Sequence, residues 1–549
     1  MTKIPLIDLI RSATETRKWL IIVAAIIAGI VHTVSIGIVN EAAHHFINHS
    51  LFNAPLFKWF VGTMILFIVT QTYSLRKAVY VIESGVHNTR LRIAEKIRHV
   101  ECSFIEGRNK GEIYMNLTRD GNLISTSAMV LVMAAQGVVV AFFSFVYIAW
   151  LSWVAFCVLG VLTAILVSFY FGRSRLIREN IQAADKQDVY FFELLNHVLT
   201  GFKEIKLNRK KSDELFSRIE KVADVSRQAR MTVGEKFVFH AFAVNLMQSL
   251  LLGAIVFVIP QYIAGHSEMI TPLIAITLFA SGYLTMVLHS MRHFMQVNGA
   301  IRNMQRLEED LDRVNRPVDQ ADSDTVQSLY GFGSIELSGI EYVYRDEEGC
   351  PLFPLGPLSL SVTKGELLFV VGGNGSGKTT FLKLLTGLYY PHAGQINIDG
   401  TRLDSGDYAL YRNLFSVVFA DFHLFDQLYG LRGISDQTVD QWLERMQLAK
   451  KTKFESGRFS TLNLSTGQRK RLAFIVSMLE ERPICIFDEL AADQDPEFRE
   501  VFYNKILPEL KKQGKTVIAV SHDDRYWHVA DRIVRFEYGK LVDLSQADF

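Results

Sequence analysis

Residues 372–379 read Gly-Gly-Asn-Gly-Ser-Gly-Lys-Thr and fit the pattern G-x-x-x-x-G-K-[ST] in full. Glycines at Gly372, Gly373, Gly375 and Gly377 let the backbone N–H groups, flanked by Asn374 and Ser376, curl around phosphate oxygens without a Cβ in the way. Lys378 is placed to meet β and γ phosphates, Thr379 to hold Mg²⁺, and Thr380 to continue the cradle. About 110 residues later an apolar run ends in acids, Ile484-Cys485-Ile486-Phe487-Asp488-Glu489. There Asp488 suits Mg²⁺, through water, and Glu489 suits the general base that polarises an attacking water.

Such groups need rigid elements. Residues 367–371 are apolar and β-prone, and residues 381–388 are apolar and helix-like, so the glycine loop joins a strand to a helix N-terminus, whose field favours anions. A second buried strand must hold Asp488 at the same carboxyl edge of a sheet. The last 215 or so residues therefore read as a soluble α/β domain that binds and hydrolyses a nucleoside triphosphate.

Between the two acidic and basic sites lies Leu464-Ser465-Thr466-Gly467-Gln468. Phosphate loop, Leu-Ser-x-Gly-Gln and acidic strand in this order resemble the ATP-binding cassette (ABC) family. The resemblance implies ATP and Mg²⁺ as cofactors, and two head-to-tail ATP sites in a dimer, with Ser465, Gly467 and Gln468 of one subunit covering the γ-phosphate held by the other. One chain carries a complete set, so a homodimer suffices. Tyr344, 28 residues before Gly372, resembles the aromatic that stacks on adenine. His522 resembles the switch histidine that contacts the γ-phosphate, and joins Glu489 and Lys378 as a catalytic candidate. Asp495 resembles the loop aspartate that crosses the dimer interface. One departure stands out: Ala420 occupies the position where the family has a glutamine, with Asp421 beside it. Either Asp421 takes over the Mg²⁺ or water contact, or the loop only couples to the membrane helices.

The first 295 or so residues are different in kind. Six segments, 19–39, 57–82, 128–149, 152–172, 238–263 and 269–290, approach the ~20 apolar residues that span ~30 Å of hydrocarbon. Residues 40–56 and 264–268 contain no Lys or Arg, whereas Arg76, Lys77, Arg90, Arg92, Lys96, Arg98, Arg173, Arg175, Arg178 and Arg292 all fall on the opposite side. That asymmetry puts both termini of a multi-pass membrane protein in the cytoplasm. The long connections 83–127 and 173–237 carry helical periodicity, so the membrane helices are expected to continue into the cytoplasm and turn near residues 104–111 and 207–211. The stretches around Phe104, Gly111, Glu112 and Asp120, and around residues 204–207, resemble the two cytoplasmic loops of the family's exporter branch. Polar residues within the spans, His32, Gln71, Asn245, Gln248 and His289, are candidates for a substrate path, with interhelical hydrogen bonding as the plainer reading.

The expected fold is an α-helical membrane domain of six transmembrane helices, of ABC exporter type, in residues 1–300, a linker in 301–333, and an α/β P-loop nucleotide-binding domain in 334–549. The formal net charge of +1 offers no field for nucleic acid, and the four scattered cysteines suggest no disulfide. The wording of residues 366–378, 424–428, 491–496 and 521–524 resembles exporters of cyclic peptides and siderophore precursors, such as pyoverdine precursor. The expected function is thus ATP-driven export of a small modified or cyclic peptide or siderophore precursor. Lipid or glycolipid flipping, general export of hydrophobic drugs, and an ATP-gated channel or sensor are the alternatives.

Overall fold

The computed structural model describes residue 9 and residues 18–49, 53–108, 110–258, 267–314, 331–345, 350–404, 406–431 and 433–544. The chain divides into two units, one of Met1–Arg98 with Asn109–Arg313, the other of His99–Arg108 with Val314–Phe549.

The first unit is helical, as backbone groups in hydrocarbon require. In chain order the helices are α1 (Lys18–His49), α2 (Ala54–His99), α3 (Cys102–Glu106), α4 (Lys110–Met115), α5 (Gly121–Leu151), α6 (Trp153–Thr200), α7 (Phe202–Leu207), α8 (Arg209–Gly253) and α9 (Ser267–Val314); α3 belongs to the second unit. Helices α2, α6, α8 and α9 run 45 to 48 residues, far beyond one bilayer crossing. Among the described residues, five helical stretches are long and apolar enough to cross a membrane: Lys18–Phe46, Ala54–His99, Gly111–Leu151, Arg209–Val258 and Ile270–Val314. The fourth expected span, 152–172, lies at the start of α6, whose described apolar stretch is Trp153–Ile165. The end of the fifth, at 259–263, and the following loop 264–266 lie outside the described residues.

The expected tight turn between the third and fourth spans is a single extended residue, Ser152, whose hydroxyl accepts the N–H of Ala155 and starts α6. Asn208 does the same between α7 and α8, capping through Lys211 N–H at 3.2 Å. Helix α1 packs on α5, and α6 lies along α8. On α2 and α9, Lys96 donates to Glu308 at 2.8 Å and to Asp312 at 2.7 Å, with Arg92 on the same Glu308. Helix α9 runs on to Val314, so the first part of the expected linker is helical; residues 315–330 lie outside the described residues.

The second unit holds strands β1 (Ser334–Arg345), β2 (Pro351–Thr363), β3 (Leu367–Gly372), β4 (Ala393–Ile398), β5 (Thr401–Arg402), β6 (Phe415–Val418), β7 (Phe454–Glu455), β8 (Arg458–Phe459), β9 (Ile484–Asp488), β10 (Thr516–Val520), β11 (Arg532–Glu537) and β12 (Lys540–Leu544). Its helices are α10 (Lys378–Leu385), α11 (Tyr408–Tyr411), α12 (Asp436–Arg445), α13 (Thr466–Leu479), α14 (Pro496–Val501) and α15 (Leu507–Lys512). An antiparallel sheet has the order β2-β1-β4-β5; a second, mainly parallel sheet has the order β12-β11-β3-β10-β9-β6. Strands β3, β9 and β10 are buried on both faces, which is why they read as continuous apolar runs rather than alternating ones. Leu367, Phe369, Cys485, Phe487, Val517 and Ala519 point into one core, and Leu368, Val370, Ile484, Ile486, Ile518 and Val520 into the other. None of the four cysteines is in a disulfide, and Cys485 alone of them is buried.

Candidate active site

Parallel pairing puts Val370 of β3, Val520 of β10 and Asp488 of β9 in register. Three chain segments therefore leave the sheet at one carboxyl edge: residues 372–377, Ser521 with His522, and Glu489. The glycine loop turns sharply: Gly372 has φ +145° and Gly377 +106°. A Cβ at Gly372 would strike the Phe536 carbonyl, and one at Gly377 would strike Leu355, so neither position tolerates a side chain. Gly373, Asn374 and Gly375 are exposed at the tip. Ser376 Oγ is buried without a partner, a vacancy in hydrogen bonding that a phosphate oxygen fits.

Helix α10 begins at Lys378, whose ammonium is buried and donates to the carbonyls of Gly372 and Gly373, each at 3.0 Å. Burial holds its pKa below the ordinary lysine value, against the opposing fields of Glu489 and Asp488. Thr379 donates Oγ1 to Oδ2 of Asp488 at 2.9 Å. Asp488 is 1% exposed, and burial pushes its carboxyl above the ordinary range; the Thr379 hydrogen bond opposes this, the Glu489 charge adds to it, and the Ala420 N–H and Lys378 oppose it. Two hard oxygen ligands, one of them a buried carboxylate short of positive charge, fit Mg²⁺.

Glu489 has φ +52°, a left-handed conformation that is uncommon outside glycine. Lys470 of α13 holds it there, donating Nζ to the Glu489 carbonyl at 2.8 Å while pairing with Asp493 at 2.7 Å. The Glu489 carboxylate then meets Nε2 of His522 at 3.0 Å.

The Leu-Ser-x-Gly-Gln segment forms the start of α13 by a capping box. Ser465 Oγ accepts the Gln468 N–H at 3.4 Å, and Gln468 Oε1 accepts the Ser465 N–H at 3.1 Å. Gly467 is packed so closely that a Cβ would lie 2.8 Å from the Asp493 carbonyl, and its own carbonyl accepts from Gln494 Nε2 at 2.9 Å. Asp495 caps α14 through the Phe498 N–H at 2.8 Å and pairs with Arg471. The Phe498 hydrogen bond first, and then Arg471, hold its carboxyl below the ordinary range. Among the described residues no hydrogen bond joins Ser465, Gly467, Gln468 or Asp495 to residues 372–380 of the same chain. Tyr344 lies on β1, its ring edge-on to Tyr342 at 5.2 Å and its hydroxyl 3.3 Å from Thr380 Oγ1, so the aromatic stands beside the end of the phosphate loop.

Comparison with known proteins decides the family. Residues 18–288 match the ABC transporter transmembrane region and residues 355–492 match ABC transporter. The ATP-binding protein SyrD of Pseudomonas syringae pv. syringae is 31% identical over 97% of this chain and 96% of that protein. The chain belongs to the ABC transporter family. The ATP-dependent lipid A-core flippase of Paraburkholderia xenovorans (strain LB400) is 23% identical over 88% of this chain and 83% of that protein. A solved bacterial Atm1-family ABC exporter with ATP bound shares the fold at a TM-score of 0.74, with 19% identity, over 97% of this chain and 96% of the other. The chain is an ABC exporter, an ATPase coupled to transport, with a transmembrane region fused to its nucleotide-binding domain.

Within this exporter the residues at the departure from the family pattern have identifiable work. The Ala420 backbone lowers the Asp488 pKa, an effect that needs no side chain. Asp421 is exposed, and its field acts on Lys383 and Cys102. Both lie at a contact that sequence reasoning missed. Glu106 of α3 accepts Lys383 Nζ at 2.9 and 2.8 Å and the Tyr389 hydroxyl, while Cys102 stands 3.3 Å from its carboxylate. Tyr389 in turn lies 3.5 Å from the Tyr344 hydroxyl. Burial opposes ionisation of Glu106, but the hydrogen bonds of Lys383, Tyr389 and Cys102 outweigh it and hold the carboxyl below its ordinary range. Burial and the adjacent carboxylate push the Cys102 thiol up to about 11. No motif flags a lone Glu on a five-residue helix; only the acid two residues after Phe104, in the expected turn, offered a signal.

Proposed function

We propose that this exporter moves a small modified or cyclic peptide, or a siderophore precursor, from the cytoplasm across the bacterial inner membrane, working as a homodimer with both termini cytoplasmic. Residues 1–300 act as the membrane domain, 301–333 as the linker and 334–549 as the nucleotide-binding domain. The observation that carries the ATP chemistry is the single sheet edge where Thr379 meets Asp488 and His522 meets Glu489. The peptide reading is supported by the wording of residues 366–378 and 491–496. Identity to SyrD, at 31%, exceeds that to the lipid A-core flippase, at 23%.

ATP is the substrate of the motor. Residues 372–377 and Ser376 Oγ bind its phosphates, Lys378 leaves the Gly372 and Gly373 carbonyls to meet the β and γ oxygens, and Tyr344 stacks on adenine. Thr379 and Asp488 hold Mg²⁺, which neutralises charge on the phosphates when bound. Glu489 orients the attacking water and receives its proton as the bond to γ-phosphorus forms and the bond to ADP breaks. His522 keeps the Glu489 carboxylate in place and reaches toward the γ-phosphate. Ser465, Gly467, Gln468 and Asp495 of each subunit close on the phosphates bound by the other, so hydrolysis reports dimer closure. Asp421, whose field reaches α3, suits coupling better than metal ligation. Bound nucleotide at two interfaces shifts the access equilibrium; about 5.5 kcal/mol carries a population from 1:99 to 99:1.

A second reading, lipid flipping, has the lipid A-core flippase relative in its favour. Inside-out proteoliposomes separate the two: ATP-dependent accumulation of a labelled cyclic hexapeptide supports export. Translocation of a fluorescent lipid with no peptide accumulation contradicts it.

A further inference from the structure

Halfway along the membrane helices, polar side chains meet aromatic rings in an arrangement that the nucleotide chemistry does not use. Gln71 of α2 donates Nε2 to Oε1 of Gln136 on α5 at 2.8 Å. Phe67, one helical turn before Gln71, stacks on His32 of α1 with ring centroids 4.1 Å apart and planes 9° apart. From α9, Phe279 and Tyr283 turn their rings edge-on to the same imidazole at 4.7 and 6.0 Å. Two glycines let the helices close in: a Cβ at Gly29 would lie 2.7 Å from Val139 Cγ1, and one at Gly137 would lie 2.9 Å from Met286 Cε. Helices α1, α2, α5 and α9 thus converge here, each within an apolar span.

Two polar atoms are left over. Gln136 is 5% exposed, and its Nε2 is buried without a partner. His32 Nδ1 is also buried without one. An interhelical clasp alone gives no reason for a buried amide donor left unused at this depth. His32, Gln71 and Tyr283 are only half-buried, so the cluster is not sealed.

We infer that His32, Gln71 and Gln136, walled by Phe67, Phe279 and Tyr283, form a recognition subsite for an amide carbonyl on an otherwise apolar or aromatic ligand, the chemistry of a small peptide backbone. Gln71 holds Gln136 by its oxygen and so aims the Gln136 N–H at the ligand carbonyl. The His32 nitrogen offers a second polar contact, and the rings cover the ligand's apolar side chain. This rests on the peptide-export reading.

The test is the concentration of ligand that half-maximally stimulates ATP hydrolysis by the full-length protein in proteoliposomes. The probes are a cyclic hexapeptide of alternating Leu and Phe, and tetraphenylphosphonium, which is aromatic but has no carbonyl. The variants are Gln71→Leu/Gln136→Leu, which removes both partners together and so leaves none unpaired, and Gln136→Met, which keeps side-chain volume. The expected result is a rise of about tenfold or more for the peptide, one lost hydrogen bond's worth, with less than about a twofold change for tetraphenylphosphonium. Equal shifts for both probes, or none for the peptide, overturn the subsite and leave peptide export standing. A wild-type protein that the peptide does not stimulate overturns both.

Discussion

Nε2 of His522, at the end of β10, stands 3.0 Å from Oε1 of Glu489, at the end of β9. The two strands are adjacent and parallel, and Val520 pairs with Asp488, so the backbone register fixes the contact. Glu489 is held in a left-handed conformation that its neighbours impose. Glu489 is thereby restrained at its backbone by Lys470 on its carbonyl and at its carboxylate by His522.

His522→Ala releases one of these restraints and any contact of the imidazole with the γ-phosphate. ATP turnover is expected to fall about 10- to 100-fold, with ATP affinity changed less than threefold, roughly half a kcal/mol. Steady-state phosphate release and equilibrium binding of a fluorescent ATP analogue measure the two separately.

Asp488 gives a pH-dependent prediction. Its folded-state pKa is raised, chiefly by burial, so keeping the carboxylate charged in the fold costs stability. The associated penalty is absent below the unfolded pKa and grows as pH rises through the folded value. Asp488→Asn should therefore raise the nucleotide-free unfolding temperature at pH 7.5, by on the order of 2 °C, and abolish Mg²⁺-dependent hydrolysis. Scanning fluorimetry at pH 7.5 and at about pH 4 checks the sign, since the gain should shrink at the lower pH. A lower unfolding temperature at pH 7.5 contradicts it.

The phosphate loop and the acidic strand were legible because each is a short run whose local chemistry needs those residue types in that order, whereas residues 464–468 were legible only through their resemblance to the ABC family. The membrane region was legible from apolar length, because a helix that crosses hydrocarbon needs about 20 consecutive apolar residues. What could not be read were contacts between residues far apart in sequence. Glu106 meets Lys383 across 277 residues, and Gln71 meets Gln136 across 65. Gln136 went unnoticed in an otherwise apolar run, although a lone amide in a span was itself a signal. The value of Asp421 was also not in the motif: its neighbours are Lys383 and Cys102, which only the fold brings near.

Glu106→Gln removes the charge that binds Lys383. Glu106 is held below its ordinary pKa, so its contribution is complete above the ordinary carboxylate range and is lost as pH falls through the depressed value. At pH 7 the variant should raise hydrogen exchange in residues 99–108 by about tenfold, one ion-pair hydrogen bond. It should also reduce ligand-stimulated hydrolysis more than unstimulated hydrolysis. Exchange unchanged at pH 7 contradicts the docking role of this carboxylate.

Asp421→Ala separates the two roles left open for the loop. The position of its field on α3 predicts unstimulated ATP turnover within about threefold of wild type, well short of the loss that a metal ligand or general base produces, together with weaker stimulation by transported ligand. A loss of about 100-fold in turnover with ATP binding intact would instead put Asp421 at the metal or the attacking water.

The most direct measurement is ATP hydrolysis by the purified protein in proteoliposomes, beside Glu489→Gln, with ATP binding measured on the same samples. Loss of turnover by about 100-fold or more, with ATP still bound, is the predicted result for removal of the general base. Hydrolysis by Glu489→Gln within about threefold of wild type contradicts the assignment of Glu489, and with it the site built on the edge of β3, β10 and β9.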